Sequence, residues 1–483
     1  MNIATRQVSS ETLAALGTGG GGAAAVSPLA AAQYSKRLLL VWAVRDTARR
    51  IGHPQASHAC RGYDLLADVQ RHTPGAVEAV LRHPSVGVWA DRALRILLSG
   101  EGPADGRAGG EPAQFAALAA AAAIRARYPC AIEVPVHRGI VTLPSLGQVR
   151  LADGPVSHGT VSNGTVSNGT VSNGMATVRY SAEGIWVIAG RHLVRVPADT
   201  RADAPGWRGL RPLRATARDI TLRLVIDDLD PDRMPSTGDL GGRLSAAEAT
   251  RWQRILPPAW DLLADQPGTT AEEVQAVVQV LTPLRRPAHG QVSVSAREAF
   301  GGVALSPPAD AIVLAVTLVQ EVQHAKLGAL LDLVPLTEPD DGQRYGAPWC
   351  DRPRCVDAWC EAARRDGGRC DGAGPIDGLL QRAYGCLGVS GFWRWQRLAE
   401  DRAAAARARV EFTRWRHAAA AATTVVGASG RLTEAGRVFV AGMATTLQAW
   451  ADEKMPEAAS PRPGPVTTSQ ESADGDWAGS AHG

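Results

Sequence analysis

The sequence predicts an α+β protein, mainly helical, with a β-containing middle section and a buried central helix carrying a degenerate metal motif. Three observations carry that expectation. Apolar residues recur at helical spacing through the first 130 residues and again from Ser245 to about Trp450. Between these regions, short β-branched runs alternate with turn-forming residues. Finally, residues 310–335 are apolar around most of a helical circumference, which places that helix inside a core.

In the helical region 1–130, positions 27–49 place Leu29, Leu38, Leu39, Val41 and Trp42 at helical spacing with arginines between them. The pattern continues at 63–69, 76–81 and 113–127. The Gly-rich stretch 17–22 has no Gly-Lys-Ser/Thr after it, so it is not a phosphate-binding loop and reads as a flexible connector. The β-rich middle section, 131–242, offers strands at 132–136, 140–143, 185–188 and 222–226. A low-complexity insert at 156–175 repeats five residues four times, and its Asn-Gly pairs favour tight turns in a hairpin or loop. Helices return at Ser245, where Ser-Ala-Ala-Glu forms a capping-box pattern, and fill the domain 243–455. The tail 456–483 is rich in Pro, Ser, Gly and Asp, a composition that predicts disorder.

Composition narrows the function classes. The chain is 45% hydrophobic and 20% charged with a net charge of +3, which supports a large core and gives no sign of a nucleic-acid or membrane partner. The first 14 residues lack a secretory pattern. The longest apolar run, 311–319, falls short of the ~20 residues that span a bilayer. The expectation is a cytoplasmic protein with reduced thiols. Cys350, Cys355, Cys360, Cys370 and Cys386 cluster, but their spacing matches neither zinc ribbons nor ferredoxin clusters, so they read as free thiols.

The chemistry concentrates in the apolar helix. At ~100° per residue, Gln320, His324 and Glu321 fall at about 0°, 40° and 100°, one polar sector, with Lys326 on the opposite side at about 240°. An H-E-x-x-H helix works because histidines at i and i+4 share one metal. Here the pattern is Gln320-Glu321-Val322-Gln323-His324, and a neutral amide is a poor substitute for imidazole toward a transition metal. The remaining Glu321-x-x-His324 has the i, i+3 spacing of carboxylate-bridged iron proteins. On these residues alone, a hydrogen-bonded polar cluster within a helical core is an equal alternative.

Several blocks occur in one order: Gln33-Tyr34-Ser35-Lys36-Arg37-Leu38-Leu39-Leu40, His83-Pro84-Ser85-Val86-Gly87-Val88-Trp89, Glu133-Val134-Pro135-Val136, Ser295-Ala296-Arg297-Glu298-Ala299-Phe300-Gly301, Tyr345-Gly346-Ala347-Pro348-Trp349, Gly391-Phe392-Trp393-Arg394 and Leu432-Thr433-Glu434-Ala435-Gly436. With the Gln320–His324 helix, they resemble the HExxH-motif proteins of ribosomally made, modified peptides. Some members are fused to, or encoded beside, radical-SAM enzymes, and the group is described as iron- and 2-oxoglutarate-dependent peptide β-hydroxylases. The resemblance implies a peptide-modifying protein using Fe(II) and 2-oxoglutarate if active, with a precursor peptide and a radical-SAM maturase as partners. It implies metal ligation by Glu321 and His324, with Glu321 catalytic and Gln320 the degenerate position.

The chain departs from the pattern at Gln320, at Gln381, where a further histidine ligand is expected, and in a cysteine-rich stretch between Trp349 and Ile376. The group includes members with an inactivated hydroxylase extension, so a non-catalytic precursor-peptide-binding protein is the alternative. A zinc metallopeptidase with Glu321 as general base is a third reading. Gln381, Tyr384, Trp349 and Arg354 are candidate pocket residues, an arginine there suiting a carboxylate by its bidentate fork. His289 reads as a surface histidine. The basic stretch 402–416 reads as solvated surface, or as a dock for an acidic leader peptide.

Overall fold

The computed structural model describes residues 8–100, 110–151, 173–235, 240–288, 290–346 and 373–453. Trp349, Arg354, His289, four of the five clustered cysteines, the tail and most of the repeat insert lie outside the described residues. Twelve helices and three sheets among the described residues make the α+β architecture. The helices are α1 (Ser10–Gly17), α2 (Gly22–Arg50), α3 (Ala56–His72), α4 (Pro74–Leu81), α5 (Pro84–Ser99), α6 (Gln114–Ala126), α7 (Ala246–Ala264), α8 (Thr270–Val277), α9 (Ala311–Leu331), α10 (Ile376–Gln396), α11 (Arg402–Ala428) and α12 (Glu434–Asp452).

The first sheet is built from β1 (Cys130–His137), β2 (Ile140–Leu143), β3 (Gly147–Arg150), β4 (Asn173–Ser181), β5 (Gly184–Ala189), β6 (His192–Val196) and β7 (Trp207–Gly209). Their order is β6-β5-β4-β1-β2-β3-β7, antiparallel throughout. The last three residues of the insert, Asn173, Gly174 and Met175, belong to β4. One face of this sheet packs on α6, whose Ala-rich run from Phe115 to Ile124 is buried all round. With only methyl groups on most of its surface, α6 lets α3 approach closely. That sheet, α3–α6 and the second half of α2 (Val41, Val44, Ala48) share one apolar core.

The second sheet has the order β11-β12-β10-β9-β8, from β8 (Arg211–Ala217), β9 (Ile220–Ile226), β10 (Val280–Pro283), β11 (Ser293–Val294) and β12 (Gly302–Leu305). Its centre is parallel, β9 beside β10 and β10 beside β12, and all four residues of both β10 and β12 are buried. Helices cover it, as parallel strands require. This sheet packs with α1, the first half of α2 (Ala25, Val26, Leu29, Ala30) and α7–α12 in a second core. A two-residue pair, β13 (Tyr345–Gly346) with β14 (Ala373–Gly374), completes the sheets.

The capping-box signal at Ser245 acts as expected. Ser245 accepts the Glu248 backbone N–H, and the Glu248 side chain accepts the Ser245 N–H, so α7 starts with a full capping box. Asp310 caps α9 by accepting the Val313 N–H at 2.8 Å. Among the described residues, no helix is long and apolar enough to cross a membrane.

Candidate functional site

Helix α9 carries two separate polar groups on opposite sides. On one side, Glu321 is buried and its Oε1 accepts the Ser293 hydroxyl of β11 at 2.7 Å. Its second oxygen, Oε2, is buried without a hydrogen-bond donor and lies 3.4 Å from His324 Nδ1, an ion-pair approach rather than a directed hydrogen bond. Burial pushes the Glu321 carboxyl up, but the His324 imidazole and the Ser293 and Ser295 hydroxyls more than offset this and hold it below its usual range. Gln320 and His324 are half-buried on the same face.

Helix α10 closes over this pair. A Cβ at Gly385 would stand 2.5 Å from His324 Nε2 and 3.4 Å from Gln320 Cγ, so a larger residue there would force the His324 ring to move. Gln381 precedes Gly385 by one turn on the same face of α10. The structure thus groups Gln320, Glu321 and His324, with Gln381 one turn along the covering helix. Trp349 and Arg354 lie outside the described residues.

Tyr384 is not brought to this pair. It is fully buried on the other side of α9, where its hydroxyl donates to the Leu16 carbonyl at 2.7 Å and its ring lies 5.6 Å from the Lys326 ammonium. Burial pushes its phenol well above the ordinary value, so it stays a neutral donor. The physical reason is helical geometry: Gly385 faces His324, and the residue before it turns ~100° away.

Lys326 anchors the second polar group. Its ammonium pairs with Glu273 of α8 at 2.7 Å, both side chains buried, and donates to the carbonyls of Gly19 (3.2 Å) and Gly20 (3.0 Å). Gln323 adds a bond to Gly19 at 2.9 Å. The other Glu273 oxygen accepts from the Gly22 N–H (2.9 Å) and the Thr269 hydroxyl (2.7 Å). The Gly-rich stretch is therefore no flexible connector: its left-handed turn at Gly19 and Gly21 presents carbonyls that the buried lysine requires. Burial lowers the Lys326 pKa, and Glu273 partly restores it. Sequence reasoning placed Lys326 away from His324 but missed Glu273, for which only an apolar helix containing a lysine gave a hint.

A third buried cluster joins His83, Asp227 and Asp230, which come from distant parts of the chain. His83 sits in a quoted block of the resemblance, but no sequence pattern singled out the two aspartates.

The chain matches no protein-family model and no curated protein.

Proposed function

We propose that this chain is a peptide-recognition protein of natural-product biosynthesis, related to the HExxH peptide β-hydroxylases but without their oxidising centre. The observation carrying this reading is the ligand set. Glu321 and His324 approach each other, but Gln320 offers an amide where an imidazole is needed. Among the described residues no third His, Cys, Asp or Glu joins them within ligating distance. Iron of this class needs two histidines and a carboxylate with open positions. These residues do not fit it, and no oxidative step is derived from them.

One groove supports this reading. Helices α11 and α12 form a groove of about 460 Å³ floored by Ala420, Thr423, Val440 and Ala444, with Arg416 and Arg437 on its walls. Small apolar residues between two guanidinium groups suit a helical or extended peptide that carries carboxylates. Arg416 belongs to the basic stretch noted in the sequence. The occupant in this reading is the acidic leader of a precursor peptide, presented to a radical-SAM maturase.

A second reading keeps an active Fe(II)/2-oxoglutarate hydroxylase, and one observation favours it: Glu321 Oε2 has no donor and faces His324. The zinc-peptidase reading is disfavoured, because a general base must reach a water, while Glu321 is buried and engaged by Ser293.

The recognition reading is tested by fluorescence anisotropy of the full chain with labelled peptides encoded beside its gene. Binding that persists in chelator and weakens at least about 10-fold in Arg416→Glu, a loss of about 1.4 kcal/mol, is the expected result. Binding that requires added Fe(II), or that Arg416→Glu leaves unchanged, contradicts it.

A further inference from the structure

The turn after β9 carries four buried aspartates, Asp227, Asp228, Asp230 and Asp232. Two are neutralised by arginines. Asp228 accepts from Arg243 at 2.7 Å and Arg211 at 3.3 Å, and Asp232 accepts from Arg92 at 2.6 Å. The other two have no such partner. Asp227 Oδ1 accepts the N–H groups of Leu229 (3.0 Å) and Asp230 (2.9 Å), and Asp230 Oδ1 accepts that of Asp232 (2.9 Å). These backbone bonds leave each Oδ2 buried without a donor. Arg233, whose charge acts on Asp227, directs its terminal nitrogens instead to the carbonyls of Asp230 and Gly241, each at 2.6 Å.

Facing these oxygens is His83, the residue before α5. Its Nδ1 is fixed to the Ser85 hydroxyl at 2.8 Å, and that hydroxyl also lies against Asp230. Its Nε2 is buried without a partner, 3.6 Å from Asp227 Oδ2. One ligand atom from each of the three residues lies within 4.8 Å of the others, and the residues are 4%, 0% and 5% exposed. Apart from the Arg233 charge near Asp227 and the Ser85 hydroxyl near Asp230, these two buried carboxylates lack compensation among the described residues, which is costly unless a proton or a cation sits between them.

We propose that His83 Nε2, Asp227 Oδ2 and Asp230 Oδ2 bind one divalent transition-metal ion of the zinc type. One imidazole and two carboxylates make a mixed N/O set suited to Zn(II) and unlike the all-oxygen shells of Ca(II) and Mg(II). Tetrahedral ligands about 2.1 Å from zinc stand roughly 3.4 Å apart, close to the 3.6 Å between His83 Nε2 and Asp227 Oδ2. Ser85 orients the imidazole as outer-shell partners of metal-bound histidines do. Thr282 Oγ1 is also buried without a partner, and the pairing of Leu281 with Ile226 puts Thr282 next to Asp227 in the sheet register. Burial makes the site structural. It ties the start of α5, in one core, to the end of β9, in the other.

The test starts with the full-length protein saturated with Zn(II) and desalted. One retained equivalent is expected, with a Co(II)-substituted form showing the visible absorption of a four-coordinate site. In His83→Gln and Asp230→Asn, which preserve size and polarity, affinity is expected to fall by more than the ~10–100-fold that loss of an outer-shell partner costs, and the wild-type loss of Tm in chelator is expected to disappear. If either variant fails to fold, the wild-type zinc content and cobalt spectrum decide. No retained zinc together with a chelator-independent Tm overturns the proposal and leaves a shared proton between the carboxylates. Zinc lost in Glu321→Gln but kept in His83→Gln overturns it too, by placing the ion at α9.

Discussion

Lys326→Met is expected to remove about 3–5 kcal/mol of stability, because it strands the Glu273 carboxylate in the core. Glu273 keeps its bonds from Gly22 and Thr269 but loses its only ion-pair partner among the described residues, and the carbonyls of Gly19 and Gly20 lose their ammonium donor. Glu273→Gln is expected to be milder, since an amide retains an acceptor for Gly22 and Thr269 and leaves Lys326 its two carbonyls. A double-mutant cycle with Lys326→Met and Glu273→Leu separates the pair's own worth from the cost of an orphaned charge, and the double variant should regain part of the loss. Urea melts followed by circular dichroism measure this. A Lys326→Met loss below about 1 kcal/mol would show the pair to be solvated and the Gly-rich turn to be held by other contacts.

Arg37→Met is expected to destabilise by about 3 kcal/mol or more, through three carbonyls rather than one charge. Arg37 is buried on α2, and its guanidinium donates to the carbonyls of Leu81 (3.3 Å), Arg82 and Phe300. One planar group thereby ties α2 to the end of α4 and to the turn before β12. Methionine fills much of the stem's volume but supplies none of the donors, so the loss reports hydrogen bonding more than packing. Arg37→Lys should recover only part of it, because an ammonium cannot reproduce the fork. Thermal and urea melts of the three proteins measure the effect, and an Arg37→Met protein as stable as wild type would contradict it.

Much of the secondary structure was legible because it is local. The strands at 132–136, 140–143, 185–188 and 222–226 lie within β1, β2, β5 and β9, and Ser245 with Glu248 fixes the start of α7. The opposite placement of His324 and Lys326 followed from helical periodicity alone. What escaped the sequence depends on partners far along the chain. The Gly-rich stretch reads as a connector until α8 and α9 supply Glu273 and Lys326. Tyr384 reads as a pocket residue in the sequence, yet it sits one position before the Gly385 that faces His324, and that offset turns it to the other side of the helix. The His83, Asp227 and Asp230 cluster joins two cores, and nothing in the spacing of these residues announces it.

The most direct test of the recognition account is iron content and succinate formation from 2-oxoglutarate after anaerobic Fe(II) loading, comparing wild type with Gln320→His. The account predicts no retained iron at α9 and no succinate in the wild type, with iron gained when the imidazole is restored. One equivalent of iron in the wild type, lost in Glu321→Gln, together with succinate formation, would contradict it and make the protein an active oxygenase.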